Sequence, residues 1–301
     1  FGNMGFSKGE EFGFWPMVLG GFFLYASYYG TNQSQAQRLF SADKMQTVKH
    51  TLLANGLMRF PITLIYCLMG LVLGTLFMQT PELLSQVPAE KPDLMIPVFI
   101  KTQLPHGVIG LLMVAIFSAA MSSLSSVINS LSAASVEDFF NRDKQLPDGK
   151  YLSLSRYASI FWGCVCIVLA FFTGNIADTV IEAINKIGSV FYGPILATFV
   201  AAVGIRRVNG QGANIGLVAG VITNIILWLF FPQVFWFWWN MIGFVVTMAV
   251  GLLWSFLSPI GTSMAEHQGW APERDDLSKV MVLMIFFVLI LAISIGFPLL
   301  F

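Results

Sequence analysis

Eight apolar stretches follow one another along the chain, at about 13 to 34, 53 to 78, 105 to 135, 156 to 173, 179 to 204, 213 to 231, 234 to 257 and 280 to 300. Most approach or exceed the roughly 20 residues with which a helix crosses a bilayer. Hydrocarbon offers no hydrogen-bond partners, so each stretch is predicted to be a helix, whose backbone satisfies itself. The polar connections alternate in charge. Arg38, Lys44 and Lys49 follow the first stretch; Arg142, Lys144, Lys150 and Arg156 follow the third; Arg206 and Arg207 precede the sixth; Arg274 and Lys279 precede the last. The other side carries only Lys8, Lys91 and Lys101. Because basic loops stay inside, the loops 35–52, 136–155, 205–212 and 258–279 are predicted to be cytoplasmic, and the first span runs from outside to inside. Segment 79–104 holds Pro81, Pro88, Pro92 and Pro97 and is predicted to be a loop with short helices at most.

Composition agrees. The 301 residues are 56% hydrophobic and 11% charged, against about 25% charged in a soluble domain. A water-soluble globular protein is excluded, and lipid is the implied partner. Lys plus Arg and Asp plus Glu both number 16, so no basic excess exists to bind nucleic acid. Cys67, Cys164 and Cys166 lie in apolar runs without the spacing of a zinc or redox motif, and read as buried small hydrophobes. His50, His106 and His267 are scattered, and no nucleophile, base or metal cluster argues for an enzyme. The start at Phe1, with neither an initiator Met nor a signal peptide, reads as an interior piece of a longer protein. The aromatic run from Phe235 to Trp239, just after Pro232, reads as a headgroup anchor.

Polar residues inside spans are expensive, which makes them the informative positions. In the third span, Ser118 to Ser130 packs hydroxyls into the middle of an apolar helix. Positions 119, 122, 123, 126 and 130 share one face. Neutral oxygens from Ser122 and Ser123 suit a weakly held monovalent cation such as sodium. The same stripe, Ser118, Ser122, Ser126 and Ser130, equally suits close helix packing. The first span carries Gly20, Gly21 and Gly30, which can loosen its helix, and ends in Tyr25, Tyr28, Tyr29, Asn32 and Gln33. Interrupted helices are where transporters bind solutes, and tyrosine faces suit a small polar one. Alternatively the tyrosines sit at an interface, and Asn32 and Gln33 cap the helix end. Arg59 and Lys186 are basic residues within spans; Glu182 is spaced to pair with Lys186, and Arg59 can snorkel to the headgroups.

The run from Leu104 to Ser130, followed by Glu137-Asp138, resembles the signature helix of the sodium/solute symporter family. Asn32-Gln33-x-x-x-Gln37-Arg38, the stretch ending at Lys49, and Gly193-Pro194 resemble further landmarks, chiefly of its sodium/glucose cotransporter branch. The resemblance implies an all-α polytopic membrane protein of the leucine-transporter fold. Residues 1–204 would be its second five-helix inverted repeat, and residues 205–301 three peripheral helices. It also implies that the first repeat, absent from this sequence, is a partner in the same chain or in a separate fragment. The Ala119 carbonyl, Ser122 and Ser123 match the family's main sodium (Na+) site. Ser122, Ser125 and Ser126 match a second sodium site of its sialic acid transporters. Tyr25 matches a sugar contact and Tyr28 an aromatic gate. Arg59 stands where sugar-transporting relatives have a lysine, and Lys186 where they have a glutamine; two cations favour an anionic solute.

The expected activity is sodium-coupled uptake of a small organic solute (a sugar, polyol or small carboxylate) by alternating access. The expected location is the plasma membrane, or the inner membrane of a bacterium. The alternative is a non-transporting subunit or sensor built on the same fold.

Overall fold

A computed structural model describes residues 4–6, 12–88, 91–140, 146–172, 180–205, 207–258 and 274–296. Lys8, Arg142, Lys144, Arg206, His267 and most of the 258–279 connection lie outside the described residues. The described residues form helices, each predicted stretch falling on one or more of them. A π-helical turn, Pro16–Gly20, leads into α1 (Gly21–Thr31) and α2 (Gln33–Phe40); then come α3 (Met45–Gln79), α4 (Pro81–Leu84), α5 (Met95–Gln103) and α6 (His106–Ser135). They are followed by α7 (Asp148–Phe172), α8 (Val180–Gly204), α9 (Gly210–Phe230), α10 (Trp236–Leu257) and α11 (Arg274–Gly296). Among the described residues six helices are long and apolar enough to cross a membrane: α3, α6 with its π-helical continuation to Phe140, α7, α8, α9 and α10. The proline-rich segment resolves as expected into the short α4, a single 3-10 turn at Pro92–Leu94, and α5.

Packing divides the chain into two units that do not follow chain order: residues 1–37 with 104–269, and residues 38–103 with 270–301. In the first unit α10 is the hub, packed on α9, α8, α1 and the Pro16–Gly20 turn. Small residues repeat every four positions on both sides of the seam, Gly212, Gly216 and Gly220 on α9 facing Thr247, Gly251 and Ser255 on α10. In lipid, where apolar contact alone drives no association, such residues let backbones approach. At Gly193 of α8 a side chain would run into the Asn240 carbonyl. Pro194 follows directly inside α8 and leaves the Val190 carbonyl without its helical donor. Buried Asn224 from α9 answers it, donating Nδ2–H to Val190 O at 3.0 Å and to Ser189 O at 3.2 Å. Asn240 of α10 donates to Ser189 Oγ at 2.9 Å, so three helices share one polar seam.

The aromatic run departs from its expected role. Phe235 to Trp239 are between 1 and 9% exposed and form the core of this unit with Leu24 and Val190. The first turn of α10 is enclosed by its neighbours, so no side remains for a headgroup belt. Trp238 Nε1–H donates to the Met4 carbonyl at 2.7 Å, and the Phe6 ring stacks on Trp238 at 5.4 Å. The cysteines also differ: all three are free, Cys67 and Cys164 are exposed, and Cys166 is intermediate. Exposed apolar helix faces, unsuited to water, suit contact with lipid or further protein.

In the second unit α11 packs along α3. Lys49 Nζ meets Asp276 Oδ1 at 2.7 Å, Gly56 faces Leu283, and the Phe60 and Phe286 rings meet edge-on at 6.3 Å. Contacts advancing by seven and then four residues on α3, and by seven and then three on α11, mean that the helices run parallel.

Candidate functional site

At the end of the serine-rich stretch of α6 the hydroxyls find local or tertiary partners. Ser130 Oγ lies 2.9 Å from the Ser126 carbonyl and 2.8 Å from Gln37 Oε1 of α2. Ser132 Oγ donates to the Ser155 carbonyl, and Trp162 Nε1–H to Ser135 Oγ, both at 2.8 Å, which fixes α7 along the lower part of α6. Above this seam lies an open groove of about 660 Å³ bordered by Ser122, Ser125, Ser126, Asn129 and, from α7, Ser159. The groove's polar lining is neutral oxygen and amide.

Among the ion-site residues expected from sequence, Ser122, Ser125 and Ser126 therefore share one lined groove. Ala119 and Ser123 lie on α6, exposed, but not among the groove's lining. Among the described residues no group of three or more His, Cys, Asp or Glu side chains is gathered for a metal. Neutral oxygens in this number fit a hard monovalent ion better than a transition metal.

The interruption of the first span occurs at Asn32, whose φ of −75° and ψ of 119° are extended. Its Oδ1 accepts the Ser34 amide at 2.9 Å, capping α2. Tyr28 and Tyr29 meet edge-to-face at 5.2 Å, and Gln35 Nε2–H donates to the Tyr28 hydroxyl at 2.9 Å across the break. Tyr25 is 44% exposed on α1, which packs against α8. On α8, Lys186 Nζ lies 6.0 Å from the centre of the Trp228 ring, itself stacked on Trp239. This ring face is a partner that sequence spacing could not supply. Arg59 belongs to the second unit, on α3, two residues before Pro61 and next to the Phe60–Phe286 contact.

Several site residues were not singled out from sequence. Asn129 follows Ser126 by three and Ser122 by seven, so helical spacing carried its signal. Ser34 and Gln35 were visible only as polar neighbours of Asn32 and Gln33, and Ser159 and Trp228 carried no local signal at all.

Membrane-length helices, an interrupted first helix and a groove on α6 that carries several serine hydroxyls suit a membrane transporter. The profile of the sodium:solute symporter family matches residues 9–220. The chain belongs to that family. It is 26% identical over 240 residues to the sodium/sialic acid symporter NanT of Aliivibrio fischeri, covering 79% of this chain and 47% of the relative. It is 31% identical over 221 residues to the mouse sodium-coupled monocarboxylate transporter 1, covering 72% and 35%. The human sodium/iodide cotransporter is 29% identical over 225 residues, covering 73% and 34%. The fold matches a solved sodium-coupled sialic acid symporter in a substrate-bound outward-open state, with a TM-score of 0.68 and 23% identity over 85% of this chain and 52% of that one. The chain thus spans about half, or less, of the length of these relatives.

Proposed function

We infer that these helices are the second five-helix repeat and three peripheral helices of a symporter that couples sodium entry to uptake of a small organic solute. Residues 1–204 form the repeat and residues 205–301 the peripheral part. The observation that carries this reading is the row of oxygens on α6, with Ser122, Ser125 and Ser126 opening onto one groove. The Ala119 carbonyl, Ser122 and Ser123 hold the principal sodium, and Ser125 and Ser126 join Ser122 for a second. The parallel pairing of α3 and α11 supports the topology, which runs both from the cytoplasm outward and places loops 35–52 and 258–279 inside. The plasma membrane, or a bacterial inner membrane, is the location that fits such a topology.

The solute contacts within the first unit are Tyr25, Tyr28, Asn32 and Lys186, and the solute class is a small carboxylate. Its support is the in-span cation Lys186. The Trp228 ring, whose centre lies 6.0 Å from Lys186 Nζ, carries no formal charge of its own. Relatives named for sialic acid, monocarboxylates and iodide act on anions. One charge moving through about 100 mV supplies about 2.3 kcal/mol, and a tenfold sodium gradient adds about 1.4 kcal/mol. An anion entering with one sodium carries no net charge and forfeits the voltage contribution. A second sodium restores it, which gives the further serines a purpose.

The test is sodium-driven uptake of labelled sialic acid, lactate and glucose by the full chain in proteoliposomes. Ser123→Ala removes one oxygen ligand, worth about 1.5 kcal/mol, and should raise the sodium needed for half-maximal uptake about tenfold. An unchanged sodium dependence would refute the site, and uptake without sodium the function.

A further inference from the structure

The groove on α6 and the tyrosines of α1 belong to separate helices, and α2 touches both. Its Gln37 Oε1 lies 2.8 Å from Ser130 Oγ, and its Ser34 hydroxyl lies 3.3 Å from the same oxygen. Its Gln35 donates to the Tyr28 hydroxyl at 2.9 Å. α1 is anchored elsewhere: Gly20, in the turn that leads into it, abuts the Phe237 backbone, and Leu24 is buried in the aromatic core. Only the extended residue Asn32 separates the anchored α1 from α2, so α2 can reorient about a single backbone position.

Ser130 supplies the two-state element that coupling requires. It is 5% exposed, and its hydroxyl has one proton for two close acceptors, the Ser126 carbonyl at 2.9 Å and Gln37 Oε1 at 2.8 Å, while the Ser34 hydroxyl at 3.3 Å can donate to it. Ser126 borders the groove. A cation held there draws on the oxygens of Ser126, and the Ser130 proton is then better placed on Gln37.

We propose that α2 is the coupling element of this protein, with Ser130–Gln37 and Gln35–Tyr28 as positioning contacts through which cation occupancy of the α6 groove sets the posture of Tyr28. Neither glutamine need touch ion or solute. The proposal rests on the sodium-symport reading above, and its test separates the two.

The test uses sodium alone, on the full chain in detergent, with Cys67, Cys164 and Cys166 replaced by alanine and Tyr29→Cys as a reporter beside Tyr28. Thermal unfolding with sodium or choline reads ion binding, and the alkylation rate of the reporter reads the posture of the tyrosine segment. Sodium should stabilise the parent and change its alkylation rate about fivefold or more, the usual lower range of coupling between sites. In Gln37→Leu and in Ser130→Ala the rate ratio should fall to within about twofold of unity while sodium stabilisation persists. Gln37→Glu, which keeps an oxygen acceptor for Ser130, should retain the ratio and distinguishes coupling from misfolding. Sodium stabilisation with an unchanged ratio in Gln37→Leu or Ser130→Ala would overturn the coupling role and leave symport standing. Stabilisation of the parent with no effect on its alkylation would do the same. Absence of any sodium effect on the parent would overturn both.

Discussion

Replacing Asn224 by leucine tests the polar seam that joins α8, α9 and α10. Asn224 is fully buried, and its Nδ2 donates to the Ser189 and Val190 carbonyls. Ser189 O keeps its own helical donor, the amide of Gly193, but Val190 O does not, because residue 194 is proline. The substitution therefore strands one buried carbonyl, at a cost of about 1 to 3 kcal/mol. It also removes Asn224 Oδ1, which is itself buried without a partner, and this offsets part of the loss. A net destabilisation of about 1 to 2 kcal/mol is expected, close to the upper range measured for interhelical hydrogen bonds in membranes, about 1.7 kcal/mol. The decisive comparison is the same change in a Pro194→Ala background, where the new amide can serve Val190. There Asn224→Leu should be nearly neutral, a coupling of about 1 kcal/mol between the two sites. Unfolding by SDS titration from mild detergent measures all four proteins of the cycle. Equal costs in both backgrounds would show that Asn224 is not there to serve the proline break.

Three further outcomes follow from the packing and the charges. Gly193→Ala drives a methyl into the Asn240 carbonyl; overpacking costs about 1 to 3 kcal/mol, and thermal unfolding in detergent should show it, whereas Gly70→Ala, with nothing near its position, should be silent. Lys186→Gln should weaken uptake of carboxylates at least about tenfold more than that of sugars, the loss expected for a charge-assisted bond of about 1.5 kcal/mol; equal losses in competition uptake would reject a charge-reading role. Lys49→Asp and Asp276→Lys should each destabilise the α3–α11 pair by up to about 1 kcal/mol, and the double exchange should restore it; SDS titration of the singles and the double would reject the pairing if the double were no better.

Apolar runs legible in the sequence placed the long helices closely, because a backbone in hydrocarbon has no alternative to helix and a span has a minimum length. The ends were less legible. α3 and α7 each begin eight residues before their apolar runs, since polar first turns outside the bilayer leave no hydrophobic trace. The serines of α6 were equally legible as costly residues in an apolar setting, yet what joins them from another helix was not. Ser122, Ser125 and Ser126 gain Ser159 from α7 only when that helix is docked. Phe235 to Trp239 show the converse: a belt-like pattern that becomes a core because the first turn of α10 is enclosed by its neighbours.

The sequence by itself therefore determined helical class, membrane setting, and which side chains are too polar for their surroundings. Tertiary structure alone decided where those polar groups turn: Ser130 to Gln37, Tyr28 to Gln35, Lys186 to Trp228, and Asn224 to the carbonyl that Pro194 leaves open. The reason is that burial in lipid is a property of one residue and can be read locally. A hydrogen-bond partner across helices depends on which faces meet, and small residues distributed over several helices set that jointly.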